Sequence, residues 1–288
     1  MIAIYKRELK SYTFTMIGSV FLAFLLAFVG IYFMVYNLNY GYNYFSYALG
    51  SGLLVMIVIV PILTMKSFAE ERHNKSDQLL LTSPVSVTKI VLGKYLAMVS
   101  ILGIACVIFM IFPVIIRMLG TAHFLIDYLT ILMFFLIGSV YIAIGMFLSS
   151  TTESQIIAAV GTMAVLLLLY FWSTLTNYLP SGTLANLVMV LILFALVALA
   201  LQSYLQNWTF TSLIYAVVAL GTIIVYFVTK TSFESLLTNI LSSFDLTAVL
   251  TDLVDSSLLN IPNVFLLLSL IVAFNYLTIQ VIQKRRWS

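Results

Sequence analysis

The chain has 288 residues and a formal net charge of +3; 63% of its residues are hydrophobic and only 8% are charged. Because roughly one quarter of the residues in an ordinary soluble domain are charged, this composition excludes a soluble globular protein. It indicates an integral membrane protein. The single cysteine, Cys106, has no partner in the chain for an intramolecular disulfide bond.

The apolar residues fall into stretches that are long enough to cross a bilayer. A membrane-spanning helix needs about 20 mostly apolar residues. The stretches that meet this need lie at roughly 16–36, 50–66, 95–118, 128–148, 155–172, 186–204, 209–229 and 263–282. We therefore predict an all-α integral membrane protein, a bundle of about eight transmembrane helices that forms one membrane domain over residues 1–288.

The basic residues indicate how the chain is oriented. All but two of the 13 Lys and Arg residues lie in the N-terminal segment, in the loop from Lys66 to Lys94, or in the tail Lys284–Arg286. Loops on the cytoplasmic side of a membrane are enriched in these residues. We therefore predict a multi-pass protein of the cell membrane with both termini and this loop in the cytoplasm, as an even number of spans requires.

The N-terminal segment, residues 1–14, has the pattern of an amphipathic helix. One side carries Ile2, Tyr5, Leu9 and Tyr12, and the other carries Lys6, Arg7 and Lys10. This spacing predicts a helix that lies flat on the cytoplasmic surface of the bilayer. In the alternative interpretation, the basic residues only orient the first span.

The loop at 67–94 combines charges of both signs with three consecutive leucines. Its candidate docking residues are Glu70, Glu71, Arg72, Asp77, Gln78, Leu79, Leu80, Leu81, Thr82, Ser83 and Pro84. The Ser-Pro pair suits the start of a helix. A short polar helix with an apolar edge predicts a docking surface for another protein. The alternative is a solvated loop, which would have no reason to display the leucines.

The stretch at 231–261 is amphipathic in two consecutive pieces, and we predict two helices on the outer side. The first piece carries Phe233, Leu237, Leu241 and Phe244 at helical spacing, and the second carries Leu246, Val249, Leu250 and Leu253. Such helices would lie along the outer leaflet, cap the mouth of a pathway, or simply pack on the membrane domain.

Residues that support catalysis or ion coupling are missing from the sequence. No G-x-x-x-x-G-K-[ST] motif occurs, so the chain lacks the phosphate loop with which it would bind ATP. The few His, Cys and acidic residues form no pattern of metal ligands or of an acid–base pair. No ionisable residue lies near the centre of a predicted span, which disfavours an ion-coupled secondary transporter. We expect no enzyme, no cofactor and no nucleic-acid partner.

Several segments resemble a known family. They are Tyr5–Tyr12, Glu70–Arg72, Asp77–Ser86, Lys89–Ala97 and Lys284–Trp287. These segments are similar to the permease subunit of type-2 ABC transporters, especially the gliding-motility and nitrous-oxide-cluster branch. The resemblance is specific over about the first hundred residues and at the tail, and elsewhere it extends only to hydropathy.

The resemblance implies a role for each of these segments. The 66–94 loop would contain a coupling helix that docks on a separate ABC ATPase subunit, present in two copies, which binds ATP and Mg. The N-terminal segment would be an elbow helix around Tyr5, Lys6, Arg7 and Leu9. The outer helices, with Phe233, Leu237, Leu241 and Phe244, would form a lid that gates release.

The resemblance also implies an assembly and a direction of transport. The permease would sit in the lipid bilayer of a bacterial inner membrane, dimerise with itself or with a related permease, and export its substrate. The apolar residues of the predicted spans suit a hydrophobic or amphipathic substrate. A non-transporting mechanotransmission or scaffold subunit would satisfy the same residues. A secondary transporter is the other alternative.

One feature departs from the family pattern. Permeases of this class commonly have six spans, and the surplus pair here is 186–204 with 209–229. We favour two full spans, since each stretch is long enough to cross a hydrocarbon core. One re-entrant hairpin from the outer side is the alternative.

Overall fold

The computed structural model describes residues 1–14, 16–75, 85–180, 182–205, 208–228, 234–250, 253 and 260–287. These residues are helical apart from turns and short connections, and none of those described forms a strand. The predicted all-α class is therefore confirmed. The chain divides into two compact units. The main unit contains residues 1–170 and 246–288, and the small unit contains residues 171–245.

The main unit is built from nine of the helices in the described part of the chain. They are α1 (Ile2–Phe14), α2 (Met16–Phe33), α3 (Ser46–Thr64), α4 (Ala69–His73), α5 (Val87–Phe109), α6 (Ile111–Leu119), α7 (Phe124–Thr151), α8 (Gln155–Tyr170) and α13 (Ile261–Trp287). Helix α2 continues into a π-helical turn at Met34–Asn39. The small unit contains α9 (Trp172–Asn177), α10 (Thr183–Leu205), α11 (Trp208–Val228) and α12 (Leu236–Ser242).

The described residues include five helical segments that are long and apolar enough to cross a membrane. They are Met16–Asn39, Ser46–His73, Val87–Leu119, Phe124–Thr151 and Ile261–Arg285. The other three predicted spans are helical as well, but their described apolar parts are shorter: Gln155–Tyr170, Thr183–Ala195 and Tyr215–Phe227. A multi-pass membrane protein is therefore confirmed, whereas the total of eight spans stays a prediction.

Helices α3 and α7 lie at the centre of the main unit. Helix α3 packs against α2, α7 and α8, while α7 also packs against α5 and α13. Phenylalanine rings from four helices fill one part of this core, with neighbouring ring centroids 4.5–6.3 Å apart. They belong to Phe33, Phe45, Phe109, Phe112 and Phe134. Burial of these rings holds the helices together through close packing.

Helix α5 is interrupted at Met110, and α6 continues from Ile111. Pro113 accounts for the interruption. A proline has no backbone N–H to donate to the carbonyl four residues earlier, here that of Phe109, and its ring clashes with that carbonyl. The two helices together form one apolar segment, Val87–Leu119.

The small unit is organised around Asn186, whose side chain is fully buried. Its Nδ2 donates hydrogen bonds to the carbonyl oxygens of Pro180 at 2.9 Å and Gly182 at 3.1 Å. Its Oδ1 accepts a hydrogen bond from the backbone N–H of Leu237 at 3.3 Å, which ties α10 to α12. Trp172 of α9 donates its indole N–H to the carbonyl of Leu241 at 2.7 Å. The side-chain amide of Asn186 therefore joins the start of α10 to α12.

Helices α3 and α7 approach closely where Gly145 faces Thr64. A Cβ added at Gly145 would collide with the Thr64 hydroxyl and would lie 2.9 Å from its Cβ. Only a glycine permits this distance, because the neighbouring atoms belong to a short, fully buried side chain. The contact brings the end of α3 against α7 and so positions the loop that follows.

We expect Gly145→Ala to lower the free energy of unfolding by about 1–3 kcal/mol, because the added methyl group overpacks the helix contact. Gly161→Ala is the matched control, since nothing lies within 4 Å of a Cβ at that position. It should leave stability unchanged or raise it by roughly 0.5–1 kcal/mol. Thermal unfolding in detergent measures both, and equal midpoints for Gly145→Ala and wild type would contradict the close approach.

Candidate functional site

Helix α1 packs one face against the start of α5. Tyr5 and Leu9 are half-buried and Tyr12 is buried, so most of the predicted apolar side is covered by protein. The Tyr5 hydroxyl lies 3.0 Å from the Ser100 hydroxyl on α5. Burial raises the pKa of the Tyr12 hydroxyl, and the nearby carboxylate of Glu8 raises it further. Ile2 departs from the prediction, because it is 71% exposed.

A buried lysine connects α1 to the loop after α3. The side chain of Lys94 on α5 is only 2% exposed. Its Nζ lies 2.7 Å from Glu71 Oε1 and 3.5 Å from Glu8 Oε1, and it donates a hydrogen bond to the Ser67 carbonyl at 2.9 Å. An ammonium taken out of water is stable only when such partners replace its hydration.

Arg7 completes this arrangement. Its guanidinium donates a hydrogen bond to Glu8 Oε1 at 2.7 Å and lies 3.8 Å from Glu71 Oε1. The hydrogen bond to Glu8 raises the pKa of Arg7 against the opposing effect of partial burial. We call Arg7, Glu8, Ser67, Glu71 and Lys94 the ionic cluster. Its two cations balance its two carboxylates, so the cluster as a whole carries no net charge, and Arg7 is its exposed member.

The loop after α3 is also fastened to the end of α7. The Ser149 hydroxyl accepts hydrogen bonds from the backbone N–H groups of Phe68 and Ala69 at 3.2 and 3.1 Å, and donates one to the Met65 carbonyl at 3.1 Å. Arg72 is buried and donates from Nη1 to the Thr152 carbonyl at 2.9 Å. The first residues of the loop therefore have a fixed position.

The three basic segments meet at one end of the main unit, which we call the charged end. Arg7 and Glu8 bring α1 to Glu71 and Lys94 of the loop region. Near the end of α13, Nη2 of Arg285 lies 4.0 Å from Oε1 of Glu153. Glu153 directly follows Thr152, whose carbonyl accepts the hydrogen bond from Arg72. The segments that the charge pattern assigned to one side of a membrane therefore lie together in the structure.

Of the predicted docking residues, the structure describes Glu70, Glu71 and Arg72. Glu70 is half-buried and pairs with Lys66 at 3.9 Å, whereas Glu71 and Arg72 bind within the protein itself. Helix α4, Ala69–His73, covers the first charged residues of the predicted polar helix. The remaining predicted docking residues lie outside the described part of the chain: Asp77, Gln78, Leu79, Leu80, Leu81, Thr82, Ser83 and Pro84.

The two predicted outer pieces belong to different units, with the boundary after Asp245. In the first piece Leu237 is buried, Leu241 is half-buried and Phe244 is exposed, while Phe233 lies outside the described residues. The second piece joins the core of the main unit. Its buried members there are Leu246, Val249, Leu250 and Leu253. The predicted role of the first piece as a gate stays a prediction.

Asp127 organises the opposite end of the main unit. Its carboxylate is fully buried, and Oδ1 accepts a hydrogen bond from the backbone N–H of Phe45 at 2.9 Å. This bond joins the start of α7 to the connection between α2 and α3. The ring of Tyr44 stacks on His123 in the same region, with centroids 4.8 Å apart.

The sequence pattern did not single out Glu8, Lys94 or Ser149. A signal for Glu8 is present, because it lies on the same helical stripe as Tyr5, Leu9 and Tyr12 and is the one acidic residue of that segment. An acidic group on the packed face of a basic helix needs a cationic partner. For Lys94 the sequence indicates only that it is one of the basic residues that orient the loop.

A scan against protein-family models matches residues 33–229 to the family described as ABC-2 family transporter protein. The match includes the loop at 66–94 and both helices of the 186–229 pair, and it leaves α1 and α13 outside. A search of curated protein sequences found no match to this chain.

We expect Lys94→Met to lower the free energy of unfolding by about 3–5 kcal/mol, because it leaves two mostly buried carboxylates with one partly exposed arginine. Lys66→Met is the control at the exposed pair with Glu70, and we expect a loss of about 0–1 kcal/mol. Denaturant unfolding in micelles measures both.

A second substitution tests the cause of that loss. Adding Glu71→Gln to Lys94→Met removes one uncompensated carboxylate, so the double variant should recover part of the stability. Additive losses in the double variant would show that the two side chains do not interact.

Proposed function

This chain belongs to the ABC-2 transporter family, and we propose that as its permease subunit it couples ATP hydrolysis by a separate ATPase to the export of a hydrophobic or amphipathic substrate. Two ATPase copies bind ATP and Mg, and the permease pairs with a second copy or a related permease. By resemblance we assign it to the gliding-motility and nitrous-oxide-cluster branch, in a bacterial inner membrane with both termini cytoplasmic.

The observation that carries the proposal is how the loop after α3 is attached. Lys94 and Arg7 bind Glu71 from α5 and α1, and Ser149 binds Phe68 and Ala69 from α7. A displacement of the loop therefore moves three helices together, because packed elements shift as rigid bodies. A membrane subunit needs contacts of this kind if the movement of a partner protein bound to the loop is to change the arrangement of its transmembrane helices.

We assign docking and transmission to different residues of the loop. Leu79, Leu80 and Leu81 would enter a groove of the ATPase, with Asp77 and Gln78 at the polar edge. Glu71 and Arg72 bind within the permease, so they would pass the movement on rather than contact the ATPase. Glu70, which is partly exposed, is available on the surface of α4.

The remaining elements complete this proposal. Helix α1 acts as the elbow helix, and the eight apolar stretches all cross the bilayer. The outer segment around Leu237, Leu241 and Phe244, together with Phe233, gates release. A mechanotransmission subunit that moves no substrate would use the same linkage. Stimulation of the ATPase by a transported compound distinguishes the exporter from that alternative.

Co-purification of the chain from native membranes tests docking and transmission separately. We expect wild type to retain a soluble protein with a phosphate loop, and Leu79→Ala/Leu80→Ala/Leu81→Ala to lose it. Glu71→Gln should retain the ATPase but lower its stimulation by the permease about 5- to 150-fold, the range that corresponds to a typical coupling free energy of about 1–3 kcal/mol.

Lys66→Gln is the control, because the partly exposed pair of Lys66 with Glu70 reaches none of the three helices and Lys66 is not one of the predicted docking residues. It should retain both binding and stimulation. Recovery of wild type without any ATPase would overturn the proposal, and equal stimulation in Glu71→Gln and Lys66→Gln would overturn the role of the ionic cluster.

The number of spans has its own test. Cys106 is buried, so a Cys106→Ser background permits Asn207→Cys as a single reporter between 186–204 and 209–229. If both stretches cross the bilayer, an impermeant maleimide labels this position only from the cytoplasmic side. Lys75→Cys and Ser243→Cys calibrate the two sides. A position reached from neither side would indicate the re-entrant hairpin.

A further inference from the structure

Helix α1 has a second face that the ionic cluster does not use. Residues spaced four apart lie on one side of a helix. On the side of α1 away from α5 these are Ile2, Lys6, Lys10 and Phe14. Ile2 is 71% exposed and Phe14 is 81% exposed. The Nζ of Lys10 lies 5.7 Å from the centre of the Phe14 ring.

This face differs from the one expected to meet the membrane. Tyr5, Leu9 and Tyr12 pack on the protein, so the exposed side has apolar residues at its two ends and two lysines between them. Lys6 and Lys10 form no ion pair among the described residues. Two unbalanced cations beside exposed apolar groups favour an amphipathic anion.

The position of α1 places this face at the border of the bilayer. Helix α2 begins at Met16, directly after α1, and its segment Met16–Asn39 is apolar and long enough to cross a membrane. Met16 is as exposed as Phe14, so apolar side chains continue from α1 into the span. A Cβ added at Gly18 would collide with the Tyr12 carbonyl, so the last turn of α1 lies close to the first turn of α2.

We propose that the outward face of α1 binds an anionic phospholipid, whose phosphate lies between Lys6 and Lys10 and whose acyl chains contact Phe14 and Met16. The two lysines are separated by a rise of about 6 Å along the helix, so both ammonium groups reach one phosphate. Lysine stems lie along apolar surface while their charged ends bind the headgroup.

The opposite face of the same helix carries Glu8, which binds Lys94 and Arg7. A lipid bound on the outward face would therefore restrain the helix that holds the ionic cluster. Lipid composition would in this way affect the position of the loop after α3, independently of any partner protein.

Electron paramagnetic resonance of spin-labelled lipids tests the proposal on the purified full chain in phosphatidylcholine vesicles. We expect spin-labelled phosphatidylglycerol to associate more tightly than spin-labelled phosphatidylcholine. Lys6→Gln should weaken that preference about fivefold and Lys6→Gln/Lys10→Gln about 25-fold or to the level of phosphatidylcholine, since each basic residue contributes about 1 kcal/mol. Higher salt should weaken it as well.

Two control variants distinguish lipid binding at this site from attraction to the overall positive charge of the protein. Lys75→Gln/Lys89→Gln removes the same charge from exposed positions outside α1, and it should retain the preference. Lys6→Arg/Lys10→Arg keeps the charge and should also retain it, which shows that positive charge at these two positions selects the lipid. Circular dichroism of Lys6→Gln/Lys10→Gln should match that of wild type, so that loss of the preference does not come from loss of the helix. No preference in wild type, an equal loss in Lys75→Gln/Lys89→Gln, or displacement of the lipid by inorganic phosphate but not by sodium chloride of equal ionic strength would each overturn the proposal.

Discussion

The burial of one ammonium group sets the arrangement of the charged end. The Nζ of Lys94 is removed from water and is compensated by Glu71, Glu8 and the Ser67 carbonyl. Taking an ion out of water costs several kcal/mol, which only well-placed partners offset. These partners come from α1 and from the connection after α3, so the compensation exists only when three segments hold one relative position. A shift of α1 along α5 would leave a charge without its partners, whereas apolar packing alone tolerates such shifts.

Much of the membrane architecture could be predicted, because it depends on composition averaged over many residues. Stretches such as 16–36 and 128–148 are apolar throughout, and a helix is the structure in which a single segment satisfies its own backbone in lipid. The basic segments could be assigned to one side for a similar reason, and the structure brings Arg7, Glu71 and Arg285 to one end. The family match over 33–229 agrees with the resemblance found in the loop.

The site could be predicted only in part, because its contacts join residues far apart in sequence. Glu8 and Lys94 are 86 positions apart, and Phe68 and Ser149 are 81 apart. Neither pair produces a local pattern. The hydropathy of α1 indicated the amphipathic helix but not which side faces protein, since Tyr5 and Leu9 pack equally well on lipid or on α5. From the sequence alone, Asp127 is interpreted only as a charge near the end of a helix. The structure shows that it accepts a hydrogen bond from the backbone N–H of Phe45.

The distance along the chain between Glu8 and Lys94 has a consequence for how the protein is made. Synthesis proceeds at about 5–20 residues per second, so Glu8 leaves the ribosome about 4 to 17 seconds before its partner. During that interval the first two spans are made and inserted while the carboxylate of Glu8 must remain hydrated. Helix α1 therefore docks late, after α5 has entered the bilayer. The ionic cluster can form only once Lys94 has been made, and until then the packed face of α1 carries a carboxylate without its lysine partner.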